Sequence, residues 1–381
     1  MPPQLLSLLG CYWPGNEATG PNQSFRSLAM ALRGETVFRV VGRSEHSQRI
    51  EDWRHDGAVE RALLPTGRFG TQGLRGLIKE TPFDILLLNG FFDREFTIPT
   101  LIMRRFGRIP RVPTILSPRG EFAGGALSLK SERKHAYLAL VKQLGLSRDI
   151  WFHATESHEV EDIRQAGLSC RGILEAPNPR RWFERPAAAR PANADQALRV
   201  AFLGRITPVK NVLFAIEAMA LVEAPIHLDL YGPIADGAYW KRCEDAISRL
   251  PAQITVNHKG VLPNATVPET LASYDLFFLP TRGENFGHAI NEALMSGLPA
   301  LIANTTPWRG LEAARAGWDL PLGDPAKFAA VIDRFASTEA AAQRIYRDGA
   351  RAFAEKRYRE SDAIAAHRRM FDHVLEANVF G

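Results

Sequence analysis

The sequence has few cysteines, no long apolar run and only a small excess of one charge. Its three cysteines, Cys11, Cys170 and Cys243, are too far apart for a disulfide framework or a C-x-x-C metal motif, which favours a reducing compartment. The apolar run Leu5–Leu9 is too short for a signal-peptide core, and nowhere do about 18 apolar residues follow one another as a spanning helix requires. These absences predict a cytoplasmic protein.

The net charge of +5 is a mild basic excess in 381 residues. No zinc finger, basic zipper or aromatic pattern of an RNA-binding sheet accompanies it, so we expect no nucleic-acid partner. A phosphate-bearing small ligand or an anionic membrane surface fits this charge better.

Short apolar runs alternate with amphipathic stretches along the whole chain, as in α/β proteins built on parallel sheets. The predicted strands lie in the segments 4–12, 83–92, 112–120, 149–157, 198–205, 226–232, 254–260, 275–281 and 298–304. A proline-rich stretch, "PNPRRWFERPAAARPANADQA" (177–197), divides them into two series. The sequence therefore predicts two doubly wound, Rossmann-like domains that face a central cleft.

The domain limits that we predict follow from this division. Residues 1–180 form the first domain, 181–197 the linker, and 198–357 the second domain. A C-terminal helix over 358–377, within the final segment 358–381, is expected to pack back across the junction.

Two acids mark the segment "TRGENFGHAINEALMSG" (281–297). Glu284 precedes a predicted helix and Glu292 lies on its second turn, and eight positions at 100° per residue separate them by only about 80° around the axis. Carboxylates accept hydrogen bonds from sugar hydroxyls, and the first amides of a helix are free donors. The segment thus suits a ligand with hydroxyls at both ends and negative charge between them, the layout of a nucleotide sugar.

Two cations stand in "LGRITPVKN" (203–211), after the first strand of the second domain. Arg205 and Lys210 should lie at the carboxyl edge of the sheet, where α/β sheets bind ligands. An arginine grips phosphate with two parallel bonds and a lysine adds a point charge. This loop lacks the G-x-G-x-x-G turn, which counts against a nicotinamide-dependent oxidoreductase.

These motifs carry a resemblance to a known family. "RVAFLGRITPVKN", "LYGPI" and "GENFGHAINEAL" resemble the family-four retaining glycosyltransferases of the GT-B fold, in particular those that build bacterial surface polysaccharides. "LSPRGEFAGGALSLKSERKHAYL" and "FHATESHEVEDI" are similar to the acceptor-side domain of that family. The resemblance implies transfer of a sugar from a nucleotide donor to a saccharide or lipid-linked saccharide.

The resemblance also implies roles for individual residues. Arg205 and Lys210 would hold the donor diphosphate, Glu284 the donor sugar and Glu292 the ribose. The donor-binding set further comprises Gly20, the backbone of Asn285, Phe286 and Gly287, and the segment from Val261, which would line the base. Arg119 and Asn89 are candidates on the acceptor side.

Two positions depart from the family pattern, and both change the expected chemistry. Gly20-Pro21 replaces a Gly-Gly pair and removes one amide donor. Arg119-Gly120 replaces His-Gly, and an arginine stabilises charge but does not act as a base. Since no D-x-D pair occurs, we expect no metal and no cofactor. The leaving phosphate would take the acceptor's proton in a front-face attack.

Several alternatives stay open at this point. His288 either contacts ligand or packs, Trp308 is either a packing anchor or a ligand platform, and Asn89 either touches the acceptor or only ends a strand. The stretch 126–148 is either an amphipathic helix on an anionic membrane, which would place the protein at the inner face of that membrane, or an ordinary surface helix. A nucleotide-sugar epimerase of similar fold and a non-catalytic nucleotide-sugar-binding protein are the rival functions.

Overall fold

The computed structural model of the protein describes residues 2–13, 16, 19–44, 50–65, 68–122, 131–184, 186 and 197–379. They belong to two compact units. The first unit takes residues 1–179 together with 361–381, and the second takes residues 180–360.

The first unit is built on an eight-stranded sheet in the order β3-β4-β2-β1-β5-β6-β7-β8. Its pairs are parallel except β3 with β4. The strands are β1 Gln4–Leu8, β2 Val37–Ser44, β3 Glu51–Asp56, β4 Val59–Pro65, β5 Ile85–Asn89, β6 Thr114–Ser117, β7 Trp151–Ala154 and β8 Gly172–Glu175. The described helices are α1 Gly20–Ala31, α2 Arg68–Glu80, α3 Thr97–Arg105, α4 Ser131–Leu144, α5 Ser157–Gln165 and, from the end of the chain, α12 Ala363–Val379.

The central strands of this sheet are buried on both faces, as their continuous apolar sequences predict. All five residues of β5 are buried, and so are all four of β6 and of β7. Two apolar clusters cover the sheet. The second of them includes Phe371 and Val374 of α12, so the end of the chain completes the core of the first unit.

The second unit is built on a six-stranded, entirely parallel sheet in the order β11-β10-β9-β12-β13-β14. The strands are β9 Leu198–Leu203, β10 Ile226–Tyr231, β11 Ile254–Gly260, β12 Leu276–Leu279, β13 Ala300–Ala303 and β14 Gly317–Leu320. The helices are α6 Val212–Met219, α7 Gly237–Ile247, α8 Val267–Ala272, α9 His288–Met295, α10 Pro325–Ala336 and α11 Ala340–Arg359, with a 3-10 turn at Asn264–Thr266.

In each sheet the strand order reverses at one point. The chain proceeds outward from β1 on one side and from β5 on the other, and likewise from β9 and from β12. Such reversals leave a crevice at the carboxyl ends of the strands, where ligands bind in open α/β sheets. The loops that follow β9 and β12 are those that carry the predicted cations and acids.

The prediction of a single C-terminal helix over 358–377 is wrong at the start of that range. Helix α11 ends at Arg359 and α12 begins only at Ala363. Ser361 and Asp362 lie in the break, where the Ser361 hydroxyl accepts a bond from the Ala363 amide at 3.4 Å. Such side chains compete with the helix for backbone groups, and this explains the interruption.

The antiparallel hairpin of β3 and β4 was not predicted. Strand β3 has the polar sequence EDWRHD and alternates only between half-buried and exposed residues, so it lacks an apolar face. The Asp56-Gly57 pair between the strands, with φ of +65° at Gly57, is the signal that indicates this turn.

Among the described helices, none is both long enough and apolar enough to cross a membrane. Residue 185 and residues 187–196 of the predicted linker lie outside the described residues, and residues 180–184 are described with the second unit.

Candidate functional site

Lys210 and Glu284 form an ion pair at the strand-order reversal of the second unit. The loop from β9 supplies the lysine and the loop from β12 the glutamate, and these two strands are hydrogen-bonded neighbours. The lysine side chain is 21% exposed and the glutamate side chain 12%. The structure therefore brings together one predicted cation and one predicted acid at the expected edge of the sheet.

Backbone and side-chain bonds fix these two loops to each other. The Arg282 amide donates to the Val209 carbonyl at 2.8 Å, and the Thr281 hydroxyl donates to the same carbonyl at 3.1 Å. Asn211, which holds a left-handed φ of +62°, donates from Nδ2 to the Pro280 carbonyl at 3.0 Å. The positions of Lys210 and Glu284 are thus set by a rigid loop pair.

Arg205 lies in the same loop as Lys210 and is exposed. Among the residues that the structure describes, it has no ion-pair partner within 4.0 Å. The loop that presents it packs closely on the end of β10, since a Cβ at Gly232 would come 2.0 Å from the Gly204 carbonyl oxygen. Arg205 is therefore a cation held near the reversal and open to an anion.

The turn before helix α9 has a strained backbone that glycine permits. Gly287 has a φ of +77°, and a Cβ there would lie 2.8 Å from Nε1 of Trp308. That indole nitrogen donates to the Phe286 carbonyl at 2.7 Å. Trp308 is 1% exposed, as its interpretation as a packing anchor expects, and it fixes the turn whose amides were predicted to meet the sugar. His288 packs its ring on Phe286, with 4.4 Å between centroids.

Glu292 is almost fully buried in helix α9, with a side chain 1% exposed. Its Oε1 accepts from Nη1 of Arg181 at 2.7 Å. Arg181 was not predicted, because it lies in the proline-rich stretch that was interpreted as a linker. The pair of adjacent arginines in this stretch, Arg180-Arg181, is the one sequence signal that could have indicated a functional role for Arg181.

The segment after β11 comes into contact with the same arginine. Val261 follows Gly260 and is 51% exposed. Three residues later, the Asn264 carbonyl accepts from Nη2 of Arg181 at 3.2 Å. The segment predicted to line the base and the acid predicted to bind the ribose therefore share one side-chain partner.

The two acceptor-side candidates of the first unit are bonded to each other. Nη2 of Arg119 donates to Oδ1 of Asn89 at 3.1 Å, and Nη1 donates to Oδ1 of Asn178 at 2.7 Å. Asn89 also donates to the Ser7 hydroxyl at 3.1 Å and is buried. Asn89 thus serves the internal network as well as ending a strand.

Arg119 stands out by its backbone and its environment. Its φ of +58° is rare for a residue with a side chain, and burial lowers the pKa of its guanidinium. Its side-chain acceptors Asn89 and Asn178 are neutral amides, so the charge is held in place without a carboxylate in direct contact among the described residues. This agrees with a fixed cation and not with a base.

Gly20 is the first residue of helix α1, and Thr19 before it makes no side-chain capping bond. The backbone amides of the first turn are therefore not satisfied by a capping side chain. The rest of the predicted glycine loop is only partly described, since residues 14, 15, 17 and 18 lie outside the described residues.

One acid of the first unit has a role that sequence reasoning missed. Glu159, expected as a first-turn acid of helix α5, is 2% exposed. It accepts from the Gly120 amide and from the Thr155 amide, both at 2.7 Å, and so joins the loops after β6 and β7. Glu156, by contrast, lies at the surface and pairs with His158 at 3.3 Å.

The predicted amphipathic stretch 126–148 is helical over Ser131–Leu144, and residues 123–130 lie outside the described residues. Leu138 and Val141 are buried in the core of the first unit. Leu140, Arg133 and Lys142 are exposed. The apolar side therefore packs as in an ordinary surface helix, and only the opposite side is open to a membrane.

Residues 185–352 match the family described as "Glycosyl transferases group 1". No curated protein matches the sequence.

Among solved structures, Alr3699/HepE from Anabaena, in complex with UDP and glucose, is similar at a TM-score of 0.67 and 16% identity, covering 98% of this chain and 99% of its own. Sucrose-phosphate synthase from Thermosynechococcus elongatus is similar at a TM-score of 0.73 and 16% identity, and the match covers 98% of this chain and 100% of the synthase. WaaG, a glycosyltransferase involved in lipopolysaccharide biosynthesis, is similar at a TM-score of 0.63 and 15% identity, and the match covers 97% of this chain and 99% of WaaG. At these identities the likeness shows the fold, which is GT-B, as predicted.

Proposed function

We propose that this glycosyltransferase, whose residues 185–352 belong to the glycosyl transferases group 1 family, moves a sugar from a nucleoside-diphosphate sugar to a saccharide or lipid-linked saccharide. The observation that carries the proposal is the Lys210–Glu284 pair at the strand-order reversal, with Arg205 exposed in the same loop. A diphosphate and a sugar need cations and an acceptor carboxylate side by side, and these three residues supply them.

In this proposal separate residues of the second unit bind the diphosphate, the sugar, the ribose and the base of the donor. Arg205 and Lys210 contact the diphosphate, Glu284 contacts the sugar, and Glu292 the ribose, with Val261 against the base. The turn Asn285–Gly287 offers backbone amides to the sugar. HepE has been solved with UDP-glucose, which makes UDP-sugars the first donors to test on this chain.

The proposed reaction retains the configuration of the transferred sugar. The bond between the anomeric carbon and the phosphate oxygen breaks, and the acceptor oxygen bonds to the same face of that carbon. The acceptor's proton goes to the departing phosphate. Negative charge grows on that phosphate as the bond breaks, so Arg205 and Lys210 accelerate the reaction by stabilising it, with each charge-assisted bond contributing on the order of 1.5–3 kcal/mol.

The proposed reaction uses no metal and no cofactor, because Arg205 and Lys210 supply the positive charge that the donor diphosphate requires. The acceptor belongs to the first unit, where Arg119 offers a fixed positive charge at the end of β6. We propose that the protein acts in the cytoplasm, in glycan or polysaccharide synthesis. For a lipid-linked acceptor, the exposed side of helix α4, with Leu140 and Lys142, would rest on the anionic inner face of the membrane.

Turnover tests the proposal directly. A panel of nucleotide sugars is screened by thermal shift, and donors that stabilise the protein are then assayed for hydrolysis and transfer. Glu284→Ala and Lys210→Ala should each lower kcat/KM by at least about a hundredfold while circular dichroism stays unchanged. Lys241→Ala, which removes an exposed lysine of helix α7, is the matched control and should keep full activity.

Two results would refute the assignment. Normal turnover by either site variant would show that the pair does not serve the reaction. A donor that binds but is never consumed, with any acceptor offered, would favour the non-catalytic nucleotide-sugar-binding protein.

A further inference from the structure

Arg181 contacts three parts of the second unit at once. Its Nη1 donates to Oε1 of Glu292 at 2.7 Å, and its Nη2 donates to the Asn264 carbonyl at 3.2 Å. Its own carbonyl accepts from Nδ2 of Asn291 at 3.0 Å. One residue thus joins helix α9, the turn after β11 and the chain segment that leads into the unit.

The charge of Glu292 makes this contact energetically important. A carboxylate that is 1% exposed has lost its water, and such a group needs a cation or several hydrogen bonds. Arg181, whose side chain is 22% exposed, forms an ion pair with this carboxylate at 2.7 Å. Replacing Arg181 would remove a positive charge held 2.7 Å from this buried carboxylate, which costs far more than losing a surface pair.

The planar guanidinium also sets a distance. Its two terminal nitrogens point in fixed directions, one to the helix and one to the turn, whereas a lysine carries a single point charge. The separation between Glu292 and the Asn264 backbone is therefore fixed by one rigid group.

We propose that Arg181 is the positioning residue of the nucleoside half of the donor site, holding the ribose-binding acid and the base-lining turn in register. This inference rests on the proposed function, which assigns those two walls to the ribose and the base. Arg181 does not touch the reacting sugar in this arrangement. Its loss should therefore raise KM and Kd for the donor and change kcat little.

A purely structural alternative is that Arg181 only anchors the segment 180–184. Other contacts anchor it too: the Trp182 ring packs at a tilt of 40° on the Tyr358 ring, with 4.8 Å between centroids, and the Phe183 carbonyl accepts from Nη1 of Arg351 at 3.0 Å. Trp182→Leu is therefore a matched control, since it weakens the same segment without touching Glu292 or Asn264.

The experiment is a double-mutant cycle on the full chain. The dissociation constant of the best-binding nucleoside diphosphate among UDP, ADP, GDP and CDP is measured for wild type, Arg181→Met, Glu292→Gln and the double variant, with KM, kcat and Tm recorded alongside. Arg181→Met should weaken binding at least about tenfold, with kcat within about threefold of wild type. In the Glu292→Gln background the same change should matter less than about threefold, because Arg181 acts through that carboxylate.

Arg181→Lys keeps the test decisive if the methionine variant folds poorly. The lysine keeps the charge beside Glu292 and loses the fixed second bond, so its dissociation constant should lie between those of wild type and Arg181→Met. Trp182→Leu should lower Tm and leave the dissociation constant unchanged.

Two results would overturn the inference alone: unchanged nucleotide affinity in a folded Arg181 variant, or equal effects of Arg181→Met with and without Glu292. A Glu292→Gln variant that binds as well as wild type would instead remove the ribose assignment of the proposed function, and the inference with it.

Discussion

At the scale of single residues, each of the two acids in the 281–297 segment has its own cation. Glu284 pairs with Lys210, which the sequence placed correctly on the loop after β9. Glu292 pairs with Arg181, which lies 111 positions earlier in the chain. Helical spacing predicts that two acids share a side of a helix, but it does not predict which is buried or what neutralises it. That information comes only from packing.

Two buried histidines of the first unit give a pH prediction. His153 accepts from the Ser117 hydroxyl at Nδ1 (2.7 Å) and donates from Nε2 to the Ala176 carbonyl (2.8 Å), the pattern of a neutral ring. Its ring lies 5.2 Å from that of His367. Burial, with a further contribution from neighbouring charge, lowers the pKa of His153 to about 4 and that of His367 to about 3.

Since both folded-state pKa values lie below the unfolded value of about 6.5, the unfolded chain takes up protons first as pH falls. Stability is therefore complete above about pH 6.5 and decreases below it, by about 2 kcal/mol for each histidine between pH 7 and pH 5. Urea unfolding at pH 7 and pH 5 should show the loss of stability from both histidines for wild type and for His135→Gln, a control that changes an exposed histidine. For His367→Gln the loss should be about 2 kcal/mol smaller, because only His153 then contributes. The same pH dependence in all three would contradict the prediction.

At the scale of elements, continuous apolar runs predicted strands β1, β5–β7 and β9–β13, whereas β2, β8 and β14 were not predicted. The hairpin β3–β4 was missed, since a polar edge strand carries no such run. The C-terminal helix was extended across Ser361-Asp362, where local side-chain bonds interrupt it. Residues 181–184 were interpreted as linker from the prolines that flank them, whereas the Arg181 side chain pairs with Glu292 of helix α9.

Two glycines in the loop before α9 allow a comparison within one element. Gly287→Ala would force a side chain into a left-handed φ of +77°, at about 1–2 kcal/mol, and bring a Cβ to 2.8 Å from Trp308. Gly283 has no atom within 4 Å of an added Cβ. We expect Gly287→Ala to shift the turn and weaken donor binding at least about tenfold, and Gly283→Ala to bind as wild type, when dissociation constants are measured by calorimetry. Equal affinities for both variants would show that the turn conformation does not matter for the donor.

At the scale of the whole molecule, the predicted residues divide between the two units. Arg205, Lys210, Glu284 and Glu292 lie in the second unit, while Gly20, Asn89 and Arg119 lie in the first. The two domains and the carboxyl edges of their sheets were predictable from alternation and strand-end motifs. Residues 361–381 belong to the first unit although they follow the second unit along the chain, and the periodicity of the sequence does not reveal this.

The central claim is that the second unit binds the donor's diphosphate through Lys210. Calorimetric titration of the full chain with the nucleoside diphosphate it prefers tests this most directly, comparing wild type, Lys210→Gln and the surface control Lys241→Gln. We predict one site per chain, binding weakened at least about tenfold by Lys210→Gln, and no change with Lys241→Gln. Equal affinity of wild type and Lys210→Gln would contradict the account.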